Sequence, residues 1–171
     1  MARYLVTGAA GFIGSHIAER LLRDGHDVRV LDNLSTGKRP NVDVVRAAGP
    51  DRFEWIEGDI RDLATCRRAC EGVEYVLHQA ALGSVPRSVE SPGESTSVNV
   101  TGTVNVFQAA RESGVRRVVW ASSSSVYGDT PTLPKHEEMP LAPLSPYAVT
   151  KLAGEEFARV FANSMGLPVV S

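Results

Sequence analysis

Short apolar runs alternate along the chain with longer stretches whose apolar positions recur at helical spacing. The runs Arg3–Thr7, Asp27–Asp32, Arg52–Glu57, Tyr75–Gln79, Arg117–Ser122 and Pro168–Ser171 are mostly β-branched or aromatic at their centres and predict strands. Between the first two, Ile13, Ile17, Ala18, Leu21 and Leu22 predict an amphipathic helix, with Gly25 placed for a left-handed C-terminal cap. Further helices are predicted at Leu63–Cys70, around Ser95–Ser113 and from Pro146 to about Met165, the last two ending before Gly114 and Gly166. The alternation has no fixed-period repeat, and it predicts a parallel sheet covered by helices. Thr130–Pro146, with Pro131, Pro134, Pro140, Pro143 and Pro146, reads as a long surface loop, a length that usually serves a function.

Composition narrows the classes. At 171 residues, 43% hydrophobic and 22% charged, the chain has the size and core of one ordinary soluble domain. Its net charge of −2, without a long basic stretch, argues against nucleic acid as a partner, and no run is apolar enough for a membrane span. Cys66 and Cys70 would share a helical face. His16, His26, His78 and His136 are too scattered to complete a metal site with them, so no metal is expected and the thiols read as reduced core residues of a cytoplasmic protein. Met1 leads directly into Tyr4-Leu5-Val6, so no export signal is expected.

Three segments carry chemistry. Val6-Thr7-Gly8-Ala9-Ala10-Gly11-Phe12-Ile13-Gly14 leaves a strand and opens a helix, where glycines let a pyrophosphate approach backbone amides. A bare tight turn explains the same glycines. Asp32 closes the second strand 18 residues beyond Gly14, near the place of a carboxylate that binds both ribose hydroxyls of NAD and repels a 2′-phosphate. Capping of the next turn would also suit Asp32, and Arg29, Lys38 and Arg39 are near enough in sequence to receive a phosphate. Tyr147 and Lys151 lie one helical turn apart, so the ammonium would favour the phenolate and fit Tyr147 for general-base work. The hydroxyl run Ser122-Ser123-Ser124-Ser125 leaves the fifth strand at the edge where open parallel sheets bind ligands.

Taken in order, Thr7–Gly14, Asp32, Ser122–Gly128 and Tyr147–Lys151 resemble the NAD-dependent sugar epimerase/dehydratase family of extended short-chain dehydrogenases/reductases. Glu57-Gly58-Asp59-Ile60-Arg61-Asp62, His78-Gln79-Ala80-Ala81, Asn99-Val100-Thr101-Gly102-Thr103 and Ser145-Pro146-Tyr147 add to the resemblance. It implies an α/β, Rossmann-type doubly wound sheet. It also implies that Gly8, Gly11, Phe12, Ile13 and Gly14 hold the pyrophosphate of NAD, Asp32 and Asn33 the adenosine ribose, and Asp59 and Ile60 the adenine. Ala80, Ala81, Asn99, Tyr147 and Lys151 would lie along the rest of the cofactor. Tyr147 would be the catalytic base with Lys151 beside it, and Ser123 the catalytic serine, with Ser124 as the alternate. Ser84 and Arg87, in a loop similar to that of the UDP-N-acetylglucosamine and UDP-glucuronate 4-epimerase branch, would face the sugar with Ser123, Ser124 and Tyr147.

Dehydratases and decarboxylases of the family carry acidic residues where this chain has Ser124 and Ser125, so the resemblance favours UDP-hexose 4-epimerisation through a 4-keto sugar. A non-catalytic NAD-binding module and a nucleotide-sugar dehydratase or decarboxylase are the alternatives. The family is roughly twice this length on the two-lobe prior. Residues 1–171 are therefore expected to be an NAD-binding domain bearing the Ser/Tyr/Lys set, a fragment that stops before the substrate lobe. The resemblance also implies a homodimer, expected to form through the helices around Ser95–Ser113 and Pro146–Met165.

Overall fold

β1 (Arg3–Thr7) runs through the middle of the sheet because adjacent side chains of a strand point to opposite faces and both of its faces are apolar. Leu5 packs into one core and Val6 into the other, both essentially inaccessible to solvent. The computed structural model describes residues 1–171. β1 is joined by β2 (Asp27–Asp32), β3 (Phe53–Glu57), β4 (Tyr75–His78), β5 (Arg117–Trp120) and β6 (Val169–Val170). All pairings are parallel, in the order β3-β2-β1-β4-β5-β6. This is the doubly wound Rossmann order, and its direction reverses between β1 and β4.

One face carries α1 (Phe12–Arg23) and α2 (Arg39–Ala47), whose Ala18, Leu22 and Val45 cover Val6, Val28 and Val30. On the other face lie α3 (Leu63–Cys70), α4 (Val85–Glu90), α5 (Pro92–Thr96), α6 (Thr103–Glu112) and α7 (Pro146–Ser164), with a π-helical stretch, Ser97–Gly102, joining α5 to α6. Phe107 is the hub of that core. Its ring meets Trp120, Phe161 and His78 edge to face, which ties α6 to α7 and to the ends of β4 and β5. Truncating so buried an aromatic costs about 3–5 kcal/mol.

Gly25 ends α1 at φ +87°, and α3 spans the predicted residues. α2 and α4 were not expected. α2 presents only Val42 and Val45 to the core, too short an apolar repeat to stand out, and the one buried residue of α4 is Ser88. The helix expected around Ser95–Ser113 is three segments. The first half of its inner face is Ser95, Asn99, Gly102 and Thr103, and the apolar positions begin only at Val106 and Phe107, so polarity hides the period in the first half. β4 and β5 end at His78 and Trp120, and the residues just beyond them leave the ladder to build the site. Thr130–Ser145 is irregular apart from short turns, as expected, and Pro146 begins α7. No helix is long and apolar enough to cross a membrane.

Candidate functional site

At the reversal between β1 and β4 a cleft with about 570 Å³ of empty space opens beyond the C-terminal ends of the strands. Its walls include Gly8, Gly11, Asp32, Asn33, Asp59, Ile60, Ala80 and Ala81, eight of the residues singled out in the sequence. Gly8 has φ +71°, and a Cβ there would come within 2.7 Å of the Ala80 amide nitrogen. A Cβ on Gly14 would press to 2.2 Å from the Gly8 carbonyl oxygen, so α1 can approach the turn only without a side chain. Phe12 and Ile13 begin α1 with exposed side chains, which puts the free amides of a helix N-terminus beside the turn.

Asp32 is anchored on both sides of the cleft mouth. One carboxylate oxygen accepts from the Ala10 amide at 2.9 Å and the other from Leu34 at 2.7 Å. It therefore does cap the turn after β2, and each oxygen keeps acceptor capacity for a ligand. Asn33 donates to Asp59, which is also bound by the Arg61 guanidinium. Arg61 holds the Asp59 carboxyl at about 2, well below the usual carboxylate range. Arg29 faces away from this cleft's chemistry: it is buried, donates to the Ala69 and Glu71 carbonyls at the end of α3, and pairs with Glu54. Arg39 pairs with Glu57, and Lys38 is exposed.

The floor rests on a buried relay. The Thr7 hydroxyl accepts from the Ala80 amide and lies 2.6 Å from Nδ1 of His78, whose Nε2 is 3.1 Å from the Thr103 hydroxyl. Burial drives the His78 pKa down to about 3, so the ring is neutral. Asn99, in the π-helical stretch, has both ends of its amide engaged by the Leu82 backbone and also donates to the Thr150 hydroxyl. It links the Leu82 backbone, at the cleft wall, to α7.

Tyr147 and Lys151 stand on the first turns of α7, which Ser145 caps and Pro146 begins. Lys151 is buried. Its ammonium donates to the Ala121 carbonyl at 2.7 Å, 4.9 Å from the Trp120 ring centroid and 6.0 Å from that of Tyr147. Desolvation lowers its pKa to about 8. Ser123 follows two residues beyond Ala121. Its hydroxyl oxygen accepts from the Ser125 amide and hydroxyl, which leaves its own proton free to donate. Ser124 is exposed. Ser84 caps α4 by accepting from the Arg87 amide, and the Arg87 side chain is exposed.

Three supporting residues escaped the sequence reading. The Ser88 hydroxyl accepts the Tyr147 amide, Thr150 receives Asn99, and Glu155 receives the Ser122 hydroxyl. For Glu155 a signal existed, since Tyr147, Lys151 and Glu155 repeat at i, i+4, i+8.

Sheet order, glycine turn and acid-bearing cleft define a Rossmann-type nucleotide-binding domain. Residues 4–171 match the NAD dependent epimerase/dehydratase family, and the chain belongs to it. It is 48% identical over 163 residues to the UDP-glucose 4-epimerase of Mycolicibacterium smegmatis, covering 94% of this chain and 51% of that protein. Among solved structures it is similar to the UDP-glucose 4-epimerase of Thermus thermophilus in complex with NAD (43% identity, TM-score 0.88, 99% of this chain and 53% of that one). It is also similar to a dTDP-glucose 4,6-dehydratase from Streptomyces venezuelae with NAD bound (40% identity, TM-score 0.90, 98% and 53%). The chain spans about half the length of these relatives.

Proposed function

We propose that this chain is the cofactor-binding and catalytic half of an NAD-dependent UDP-hexose 4-epimerase. The observation that carries the reading is the buried Lys151 ammonium beside the Tyr147 ring, held by the carbonyl of Ala121 two residues before Ser123. Similarity to 4-epimerases supports the reaction type, and the cleft fits the cofactor: its floor at Gly8 has no room for a side chain, α1 offers free amides, and Asp32 retains acceptors. Gly8, Gly11, Phe12, Ile13 and Gly14 would hold the pyrophosphate, Asp32 and Asn33 the adenosine ribose, and Asp59 and Ile60 the adenine. NAD, when bound, would supply the hydride acceptor for the sugar C4 and, reduced, the hydride donor for its other face.

The chain's own residues manage the proton. Lys151 stabilises the Tyr147 phenolate, which takes the proton from the 4-hydroxyl and becomes the phenol, and Ser123, with a free O–H, bridges the sugar oxygen and Tyr147. The 4-keto sugar then turns over and Tyr147 returns the proton. Ser84 and Arg87 are assigned to the sugar-facing side. The 2′-phosphate of NADP is disfavoured because the Asp32 carboxylate would repel it, while Arg29 is held at the end of α3 and Arg39 is paired with Glu57. A homodimer through α6 and α7, a cytoplasmic location suited to the free thiols Cys66 and Cys70, and no nucleic-acid partner complete the proposal.

The dehydratase relative favours a second reading, 4,6-dehydration, in which Ser124 and Ser125 would have to replace an acidic pair. Replacing Tyr147→Phe in the protein that carries this sequence should lower epimerisation at least about 10³-fold while NAD stays bound. Undiminished turnover would remove Tyr147 from the mechanism. NAD binding without any sugar product in the unmutated protein would make the chain a binding module.

A further inference from the structure

Lys151 and Glu155 are one turn apart on α7, the spacing at which a lysine and a glutamate ordinarily pair. They do not pair. Glu155 receives the Ser122 hydroxyl, and Lys151 takes the carbonyl of Ala121, the residue before it. Two successive residues leaving β5 thus hold two successive turns of α7. Lys151 has three donors and no carboxylate among its partners.

We propose that Ser122 and Glu155 are positioning residues: the Ser122 hydroxyl holds the Glu155 carboxylate off the Lys151 ammonium, so that Lys151 keeps its full positive charge available to Tyr147 and the ligand. An internal counter-ion would neutralise that charge and draw the ammonium down α7, away from the phenol. The backing is rigid, because Gly154, between the two, presses on the Trp120 ring, where a Cβ would meet the indole at 2.4 Å. The inference rests on the proposed role of Lys151 beside Tyr147.

The other ionisable groups around Lys151 are few. Tyr147 lies on its own helix, and His78 at the end of β4 is neutral. On the elements packed against α7, Arg87 and Glu90 of α4 and Glu94 of α5 are exposed, and so are Arg111 and Glu112 of α6. Arg111 is bound to the Met165 carbonyl, and Glu112 to Arg67. Tyr127, in the turn after Ser123, is half-buried. Glu155 is therefore the one carboxylate that Ser122 keeps from Lys151.

The test is a pH titration of the Lys151 side chain by NMR on the protein with 13C-labelled lysine, run beside turnover of a UDP-hexose. Ser122→Ala frees the carboxylate, so the Lys151 pKa should rise by about one unit or more and kcat should fall at least about 10-fold with KM little changed. Ser122→Ala combined with Glu155→Gln has no carboxylate to release, and its Lys151 pKa should stay within about half a unit of the unmutated protein. Glu155→Gln alone should behave likewise, because its amide oxygen still accepts from Ser122. An unchanged titration in Ser122→Ala, or a rise that persists in the double variant, would overturn the proposal. A Lys151 that titrates as an ordinary lysine before any mutation would count against the underlying site reading instead.

Discussion

The Lys151 ammonium lies 6.0 Å from the ring centroid of Tyr147 and is held there by a single backbone carbonyl, that of Ala121. Burying an amine with no carboxylate partner costs stability, which is acceptable only where the charge is used. Lys151→Met should therefore abolish turnover and yet raise stability at pH 7 by about 1–3 kcal/mol. The sign follows from the depressed pKa. Between about 8 and the ordinary value of 10.5 the unfolded chain binds the extra proton, so the unmutated protein gains stability as pH rises through this window and the advantage of methionine shrinks. Urea unfolding of both proteins at pH 7 and 10 measures this.

His78 gives an acid counterpart. Its folded pKa is about 3 against 6.5 unfolded, so its contribution to stability is complete above 6.5 and is lost as pH falls toward 3. His78→Leu removes the links to Thr7 and Thr103, and should lower stability at pH 7 by about 1–3 kcal/mol while flattening the decline between pH 6.5 and 4. Unfolding midpoints across that range test it.

Gly8→Ala should cost about 1–3 kcal/mol of stability, since the backbone is left-handed there and the added carbon meets the Ala80 amide. NAD affinity should fall with it by at least about tenfold, as isothermal titration would show. A fully stable Gly8→Ala protein would mean that the turn relaxes easily.

Cys66 and Cys70 are buried, and desolvation pushes both thiols up to about 12. Neither should react with iodoacetamide at pH 8 in the native protein, and both should react in urea. Native labelling, read by mass spectrometry, would contradict the packing of α3.

The glycine turn, Asp32, Tyr147 and Lys151 were legible because each has a fixed distance from an element end that hydrophobic periodicity reveals. Asn99 could be named but not placed. Its helix packs a polar face inward, and only the fold shows that its amide engages Leu82 and Thr150. Asp32 was read as a ribose acceptor or as a turn cap, and the geometry lets it be both. Ser88 and α4 were invisible for the reason that hid α2, too little apolar surface per turn. Ser122 was legible as one hydroxyl in a row of four, but its partner Glu155 is distant in sequence and only the packing of α7 on β5 joins them.

The most direct test of the central claim is to follow a UDP-hexose deuterated at C4 through the protein that carries this sequence. The 4-epimer should form at unchanged mass with deuterium retained at C4 and without exchange with water, as return of the same hydride requires. A product lighter by one water, or an epimer that has lost its deuterium to solvent, would contradict the account.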